Sequence, residues 1–569
     1  MTEFVLDAYA ARSCPVKTHN AFDPTLTKPA APLDESLRGS FEGGRDFRDL
    51  MLGTILRRNE GVADLRSLAL QGASWTERET ACVAAMERGA PIIIDGLLPL
   101  DLEGHRTGRP DLLVRGADAP DGRPGYLPVR IKPYRVLEIQ TGNTDLGYST
   151  LDELTTREVL HDLRYRVRRE GALLELAHHW RLLEMCGHAS SDRTGGVIGT
   201  DVLPQEGNQS AIAWVPLDLR FIRTFSRTSN AGHRLRSALE RYDHEHGFRV
   251  HVAQQAARRG VDPTLNPVVR PIRIRECEWC AWWESCRGQM DDDDLSLRIS
   301  KAPLDVRELQ TLVSLGITTV QELASADIDA LLPAYLPLTS HRDRSVSRLR
   351  QAAQRARMLA EGVALERVSS EPIGVPRADV EVDLDIETAE GDITYLWGAL
   401  VWNRVTGEKY YHHVSSFERM SREEEVELAA SFARWLLDLI ATHPGLRIYH
   451  YSDYETVHLS RLAVRSGQPD LLALTGLVKE HFVDLFRYVR DSMVAVDGLG
   501  LKVVATKGAG FAWRDDEPNG LASQAWYETA VNSPRPEVRA ATRTRVLEYN
   551  EDDVRATLAV REWLESLDA

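Results

Sequence analysis

Residues 382–392 read VDLDIETAEGD, with Asp383, Asp385 and Glu387 at every second position and Val382, Leu384 and Ile386 between them. Alternation of this kind predicts a β-strand whose even-numbered side chains face a core and whose three carboxylates share the other face. Neighbours at i and i+2 on a strand lie roughly 7 Å apart. At an effective dielectric near 20, two charges at that distance repel by roughly 2 kcal/mol. Something positive has to offset this, and a divalent cation is the economical candidate. Far along the chain, VLEYNEDDVRATLAVREWL places Tyr549 and Asp553 four apart, on one face of a helix. Between the two lies IYHYSDYETVHLSRL, with His450, Tyr454 and Glu455.

A second constellation is sulfur. Of six cysteines, Cys277, Cys280 and Cys286 fall in CEWCAWWESC, a C-x2-C-x5-C run. In a reducing compartment this clustering argues for metal rather than disulfides. Three thiolates leave a site one short, and Cys14, before a proline, is the best fourth. Zinc and an iron–sulfur cluster both accept four thiolates. Cys82 and Cys186 sit in helical patterns and read as small buried apolar groups.

The elements that must carry these groups form an α/β multidomain chain. With 569 residues it is too long for one core,. Strands are predicted over 109–116, 126–139 and 211–221, with a long helix through TTREVLHDLRYRVRREGALLELAHHWRLLEMC to Gly187,. We place a first domain at 1–290, a helical domain at 291–365 after the acidic DDDDLSL, a Pro/Ser/Gly linker at 366–378 and an α/β domain at 379–569. In the helical part, LQTLVSLGITTVQELASAD turns at Gly316, and Thr319 with Glu322 fits a capping box,. It resembles a helix–hairpin–helix unit weakly, and a plain packing hairpin is the simpler reading.

Net charge is −16, with 43% hydrophobic and 27% charged residues. That argues against a uniformly basic surface but leaves room for a local groove for nucleic acid, because phosphate contacts depend on local charge. Basic stretches occur at 163–170, 257–276 and 341–357. No apolar run approaches a membrane span, the N-terminus lacks a signal-peptide layout, and a cytoplasmic location is expected. There is no G-x-x-x-x-G-K-[ST] and hence no P-loop motor.

These motifs carry a family resemblance. The cysteine spacing is similar to the iron–sulfur staple of RecB-family nucleases such as AddB, which implies a [4Fe–4S] cluster on Cys14, Cys277, Cys280 and Cys286. Within such a staple a PD-(D/E)XK motif is expected. Pro110–Asp111 matches its first half, and Lys132 in YLPVRIKPYRV matches its lysine, but Arg130 stands where the motif has a carboxylate. Glu138 is the candidate replacement. The following helix offers Glu175 and His179 where the family often has Gln and Tyr. A partly degenerate nuclease domain that still binds nucleic acid is therefore implied.

The C-terminal region resembles the DnaQ-like, RNase H-fold 3′–5′ exonucleases of the DEDDy type. Asp385, Glu387 and Thr388 match D-x-E-T, and Tyr549 and Asp553 match Y-x-x-x-D. Glu455 stands in the middle position, where an aspartate is usual, with Asp453 and Asp484 as alternatives. Lys502 fits a lysine near the substrate. The resemblance implies that Asp385, Glu387, Glu455 and Asp553 hold Mg2+ or Mn2+ and that Tyr549 positions water. The chain as a whole is similar to RecB-like putative nucleases, with single-stranded DNA or RNA as substrate and catalysis in the C-terminal domain. In longer relatives a helicase follows, so a separately encoded helicase is an expected partner. The competing reading is a non-catalytic nucleic-acid-binding scaffold, or an adaptor for such a helicase in DNA repair or defence.

Overall fold

In a computed structural model, two β-sheets organise the chain. The structure describes residues 4–568 apart from 30–34, 140–144, 162, 204–208, 227, 230, 300–303, 390–392 and 516–519. The chain divides into one compact unit of Met1–Leu297, Asp305–Ile317 and Asp329–Ser347, and a second of Arg298–Leu304, Thr318–Ile328 and Arg348–Ala569. Residues 291–365 are thus shared between two units. The capping box of Thr319 and Glu322 forms as expected.

The first unit is built on eight strands. In spatial order they are Val62–Asp64, Ile92–Ile94, Leu112–Arg115, Tyr126–Ile131, Thr194–Leu203, Gln209–Pro216, Asp145–Thr150 and Glu158–His161. Tyr126–Ile131 runs parallel to Thr194–Leu203, and the helix Glu170–Cys186 packs across both. This helix is buried nearly all round, Glu175, His178 and His179 included. It ends at Gly187, whose φ of 76° is the left-handed cap that glycine adopts without strain,.

Two expectations need correction here. The long helix starts only at Glu170, because 158–161 and 163–165 pair as strands with Asp145–Thr150 and Leu137–Ile139. The stretch 126–139 is two strands, not one, broken after Ile131. Glu138 therefore lies on a separate ribbon, paired with Arg164 at 2.7 Å. It cannot replace the carboxylate lost at Arg130.

The second unit holds a five-stranded sheet in the order Lys409–Ser415, Ile393–Asn403, Val380–Ala389, Arg447–His450, Phe482–Asp484. The first three are antiparallel and the last two run parallel to Val380–Ala389. Val382, Leu384 and Ile386 enter the core with Trp397, Phe432 and Leu436, as the alternation predicts. The other face of the central strand meets the C-terminal helix, Pro536–Ser566. Residues placed in the linker are held in this unit: Leu365–Arg367 pairs with Met493–Ala495, and the Ile373 and Gly374 N–H groups donate to Asp568.

Candidate metal centre

One strand and one helix build two halves of opposite character. Glu381, Asp383, Asp385 and Glu387 project from the same face of Val380–Ala389. Opposite the first two, the C-terminal helix supplies Arg561, fully buried, which pairs with Glu381 and donates to Asp383 at 2.7 Å. Arg377 pairs with Glu381 as well, at 2.7 Å. The charge expected to require a metal at Asp383 is thus met by an arginine. Eight residues earlier, about 12 Å along the helix axis, the same helix supplies Asp553. Asp385, Glu387 and Asp553 present ligand atoms that all lie within 4.8 Å of one another. Among the described residues this is the only carboxylate, histidine or cysteine group so close.

Each member is held by a donor. Asn550 Nδ2 donates to Asp385 at 2.7 Å, while the Tyr411 hydroxyl donates to Asn550 Oδ1 at 2.7 Å. Asn550 lies over Gly398, which pairs in register with Asp385, and any Cβ there would collide with the Asn550 amide. Ser523 donates to Glu387 at 2.7 Å, and the Trp513 indole donates to Asp553 at 2.7 Å. A register shift between Glu387 and Thr388 bends the strand at the site, the setting in which bulges re-aim a side chain. Lys502 donates to the Tyr549 hydroxyl and lies 4.7 Å from the centre of its ring.

The electrostatics follow from this enclosure. Burial and then the Asp553 charge push Glu387 up to about 8. Burial raises Asp553 to about 6, against the pull of Lys502. Asp385 is raised well above the carboxylate range by burial and by Asp553, Glu387 and Glu455 in turn. Tyr549 is raised by burial and by Asp553, Glu387 and Asp385 in turn. Carboxylates crowded without a compensating guanidinium are the donor set a hard divalent cation takes.

Glu455, on the helix Tyr454–Ser466, stands outside the close trio but near enough for Asp385 to feel its charge. It is buried, and its Oε2 has no hydrogen-bond partner among the described residues, with His450 Nδ1 3.5 Å away. Burial raises its pKa. The alternatives do other work. Asp484 caps a helix, accepting from Phe486 N at 3.0 Å and Ser452 N at 3.1 Å, and Asp453 is exposed. Thr388 bonds the Tyr454 hydroxyl at 3.0 Å.

In the first unit, Cys14, Cys277, Cys280 and Cys286 line one recess with Trp282 and Trp283. No three of these thiols lie within 4.8 Å of one another. Cys82 is buried in the core and Cys186 packs against it.

The PD-(D/E)XK-like residues are brought together, but in salt bridges. Asp111, just before Leu112–Arg115, accepts from Arg48 Nε at 2.6 Å and Ile131 N at 2.9 Å and pairs with Arg130 at 3.1 Å. Glu175 pairs with Lys132 at 2.8 Å, Arg130 at 2.8 Å and also Arg12. These cations outweigh burial and hold Glu175 down at about 2. Burial, the largest influence on Lys132, lowers its pKa. His179 is buried beside the cluster.

Sequence reasoning missed Asn550, Ser523, Trp513 and Arg561. Asn550 had a signal, since it directly follows Tyr549 in EYNEDD. The others gain meaning only from the packing of the C-terminal helix on the strand. No curated protein and no solved structure matches the chain. The family model for the RNase_H superfamily matches residues 382–565. That span runs from the acidic strand to the C-terminal helix and takes in the whole carboxylate centre, so the second unit carries an RNase H-like domain.

Proposed function

We propose that the chain is a metal-dependent nuclease that hydrolyses phosphodiester bonds of single-stranded DNA or RNA, as a 3′–5′ exonuclease, at the C-terminal centre. The observation that carries this is the convergence of Asp385, Glu387 and Asp553 within 4.8 Å, each held by a neutral donor and none by a guanidinium. The three would hold Mg2+ or Mn2+, with Glu455 as a further ligand beside Asp385. Divalent cations there supply Lewis-acid stabilisation of the charge that develops on the phosphodiester. The chain's own groups do the rest. Asn550 and Gly398 fix the Asp385 carboxylate, Ser523 fixes Glu387, and Trp513 fixes Asp553. Lys502 donates to the Tyr549 oxygen and the Tyr549 O–H donates to Asp553, so that a water toward phosphorus would be oriented by this hydroxyl once a cation takes up the Asp553 charge.

The first unit serves, in this reading, as a RecB-like platform stapled by a [4Fe–4S] cluster on Cys14, Cys277, Cys280 and Cys286. Support comes from one recess that all four cysteines share, with two tryptophans at its wall. A separately encoded helicase is a compatible partner. End-labelled single-stranded DNA and RNA, incubated with the full chain with and without Mn2+, test the reading. Shortening from the 3′ end by the native chain and none by Asp385→Ala is the expected result. Equal cleavage by both would overturn it.

A further inference from the structure

The salt-bridged cluster of the first unit has a composition that a decayed cation site does not need. Five cations, Arg12, Arg48, Arg109, Arg130 and Lys132, meet three carboxylates, Asp95, Asp111 and Glu175. They form one continuous chain of contacts. Arg12, Lys132 and Arg130 share Glu175, Arg130 and Arg48 share Asp111, and Arg48 and Arg109 share Asp95. The two signs are also layered. The carboxylate side chains are 4–7% exposed, whereas the cations range from 11% at Lys132 to 46% at Arg109. Solvent therefore meets guanidinium groups with the acids beneath them.

A metal ion entering here would have to displace two or more cations from every carboxylate. An anion would displace none. Each guanidinium carries five N–H donors. Arg109 spends one, on Asp95, and Arg12 spends one, on Glu175. With Asp49 also pairing with Arg48 at 3.7 Å, one positive charge is left over locally, in a chain whose net charge is −16. Planar forks that are prepositioned and partly unused are the usual recognition elements for phosphate. We propose that this cluster is a phosphate-binding site for a nucleic-acid strand, in which Arg130 has converted a cation centre into an anion centre. The inference rests on the nuclease reading only for the identity of the anion.

The test uses the full chain in EDTA, where cleavage is off. Fluorescence anisotropy would follow labelled single-stranded 12-mers with and without a 5′-phosphate, with inorganic phosphate as competitor. Arg109→Gln and Arg12→Gln are the variants, Arg109 being the most exposed and bound to one partner. Each is expected to weaken binding about 3- to 10-fold near 0.1 M salt and to flatten the plot of log affinity against log salt by about one unit. A loss confined to the phosphorylated strand and relieved by inorganic phosphate assigns a terminal phosphate. An equal loss on both strands assigns the backbone phosphodiester. Unchanged affinity and slope in a folded Arg109→Gln chain, or no binding of either strand, overturns the site. Mn2+-dependent cleavage that Asp385→Ala removes would survive that failure, so the two ideas fail separately.

Discussion

Replacing Glu387 by glutamine should stabilise the second unit while removing its activity. Glu387 and Asp553 offer oxygens no more than 4.8 Å apart. At an effective dielectric near 20, two full charges at that limit repel by about 3.5 kcal/mol. Proton linkage gives a second route. Glu387 lies at about 8 in the folded chain against an ordinary 4.5. Its folded-state value is raised, so the stability contributed by the neutral carboxyl is complete below 4.5 and lost as pH rises through about 8. At 1.36 kcal/mol for each pH unit, the full loss is about 5 kcal/mol. Glutamine keeps the bond from Ser523, as an acceptor, and carries no charge.

Melting of Glu387→Gln against the native chain, in EDTA, should thus show a gain of about 3 to 5 kcal/mol at pH 8.5. For a unit of this size that is about 10 °C in Tm. The gain should shrink toward nothing near pH 4.5, where the native carboxyl is protonated. Adding Mn2+ should narrow the difference. The native chain gains about 2.7 kcal/mol at a hundredfold excess over Kd, and the variant gains less. A variant that melts lower than native at pH 8.5, or that gains equally at both pH values, would refute the claim that uncompensated charge is stored at this site.

Other expectations are more direct. Glu455→Asp should retain or raise cleavage, since it keeps the charge on a side chain one methylene shorter; a hundredfold loss in kcat would remove Glu455 from the metal site. Asp111→Ala should leave Mn2+-dependent cleavage within about threefold of native, whereas loss of cleavage there with Asp385→Ala active would move the chemistry to the first unit. Anaerobically purified chain should be brown and contain iron, and Cys280→Ala should lower the melting temperature of the first unit because cluster binding energy is folding energy; colourless protein with one zinc would sink the cluster. Buried His178 accepts from Tyr242 and donates to Thr107 O, and burial holds it at about 3, with His246 at about 4. The unfolded chain takes up both protons near 6.5, so stability should fall from pH 6.5 to about 4 for His246 and about 3 for His178, by about 2 kcal/mol per histidine at pH 5,; a melting temperature flat from pH 7 to pH 5 would contradict this.

Periodicity made the acidic strand legible. Val382, Leu384 and Ile386 are in the core and the odd positions face away from it. What alternation could not reveal is which odd positions need a cation. Arg561 is 178 residues from Asp383, and only the packing of the last helix shows that it silences Glu381 and Asp383. Local pattern also failed where pairing overrode it. TTREVLHDLRYRV reads as helix, yet strands 145–150 and 137–139 recruit two of its segments. Glu138 fell with the same error, because a break after Ile131 removes it from the motif strand.

Arg130 illustrates the opposite case, a single residue whose type carried the meaning at once. An arginine between Asp111 and Glu175 does more than subtract a metal ligand. It donates to one carboxylate, approaches the other at 3.1 Å, and joins Arg48 and Lys132 in sealing both. The C-terminal centre shows how different the outcome is when helix and strand bring only acids together and leave neutral donors to hold them. Both centres set three carboxylates in a largely buried cluster. The sign of what faces those carboxylates decides whether a cation or an anion completes the site: guanidinium groups in the first unit, an amide, a hydroxyl and an indole in the second.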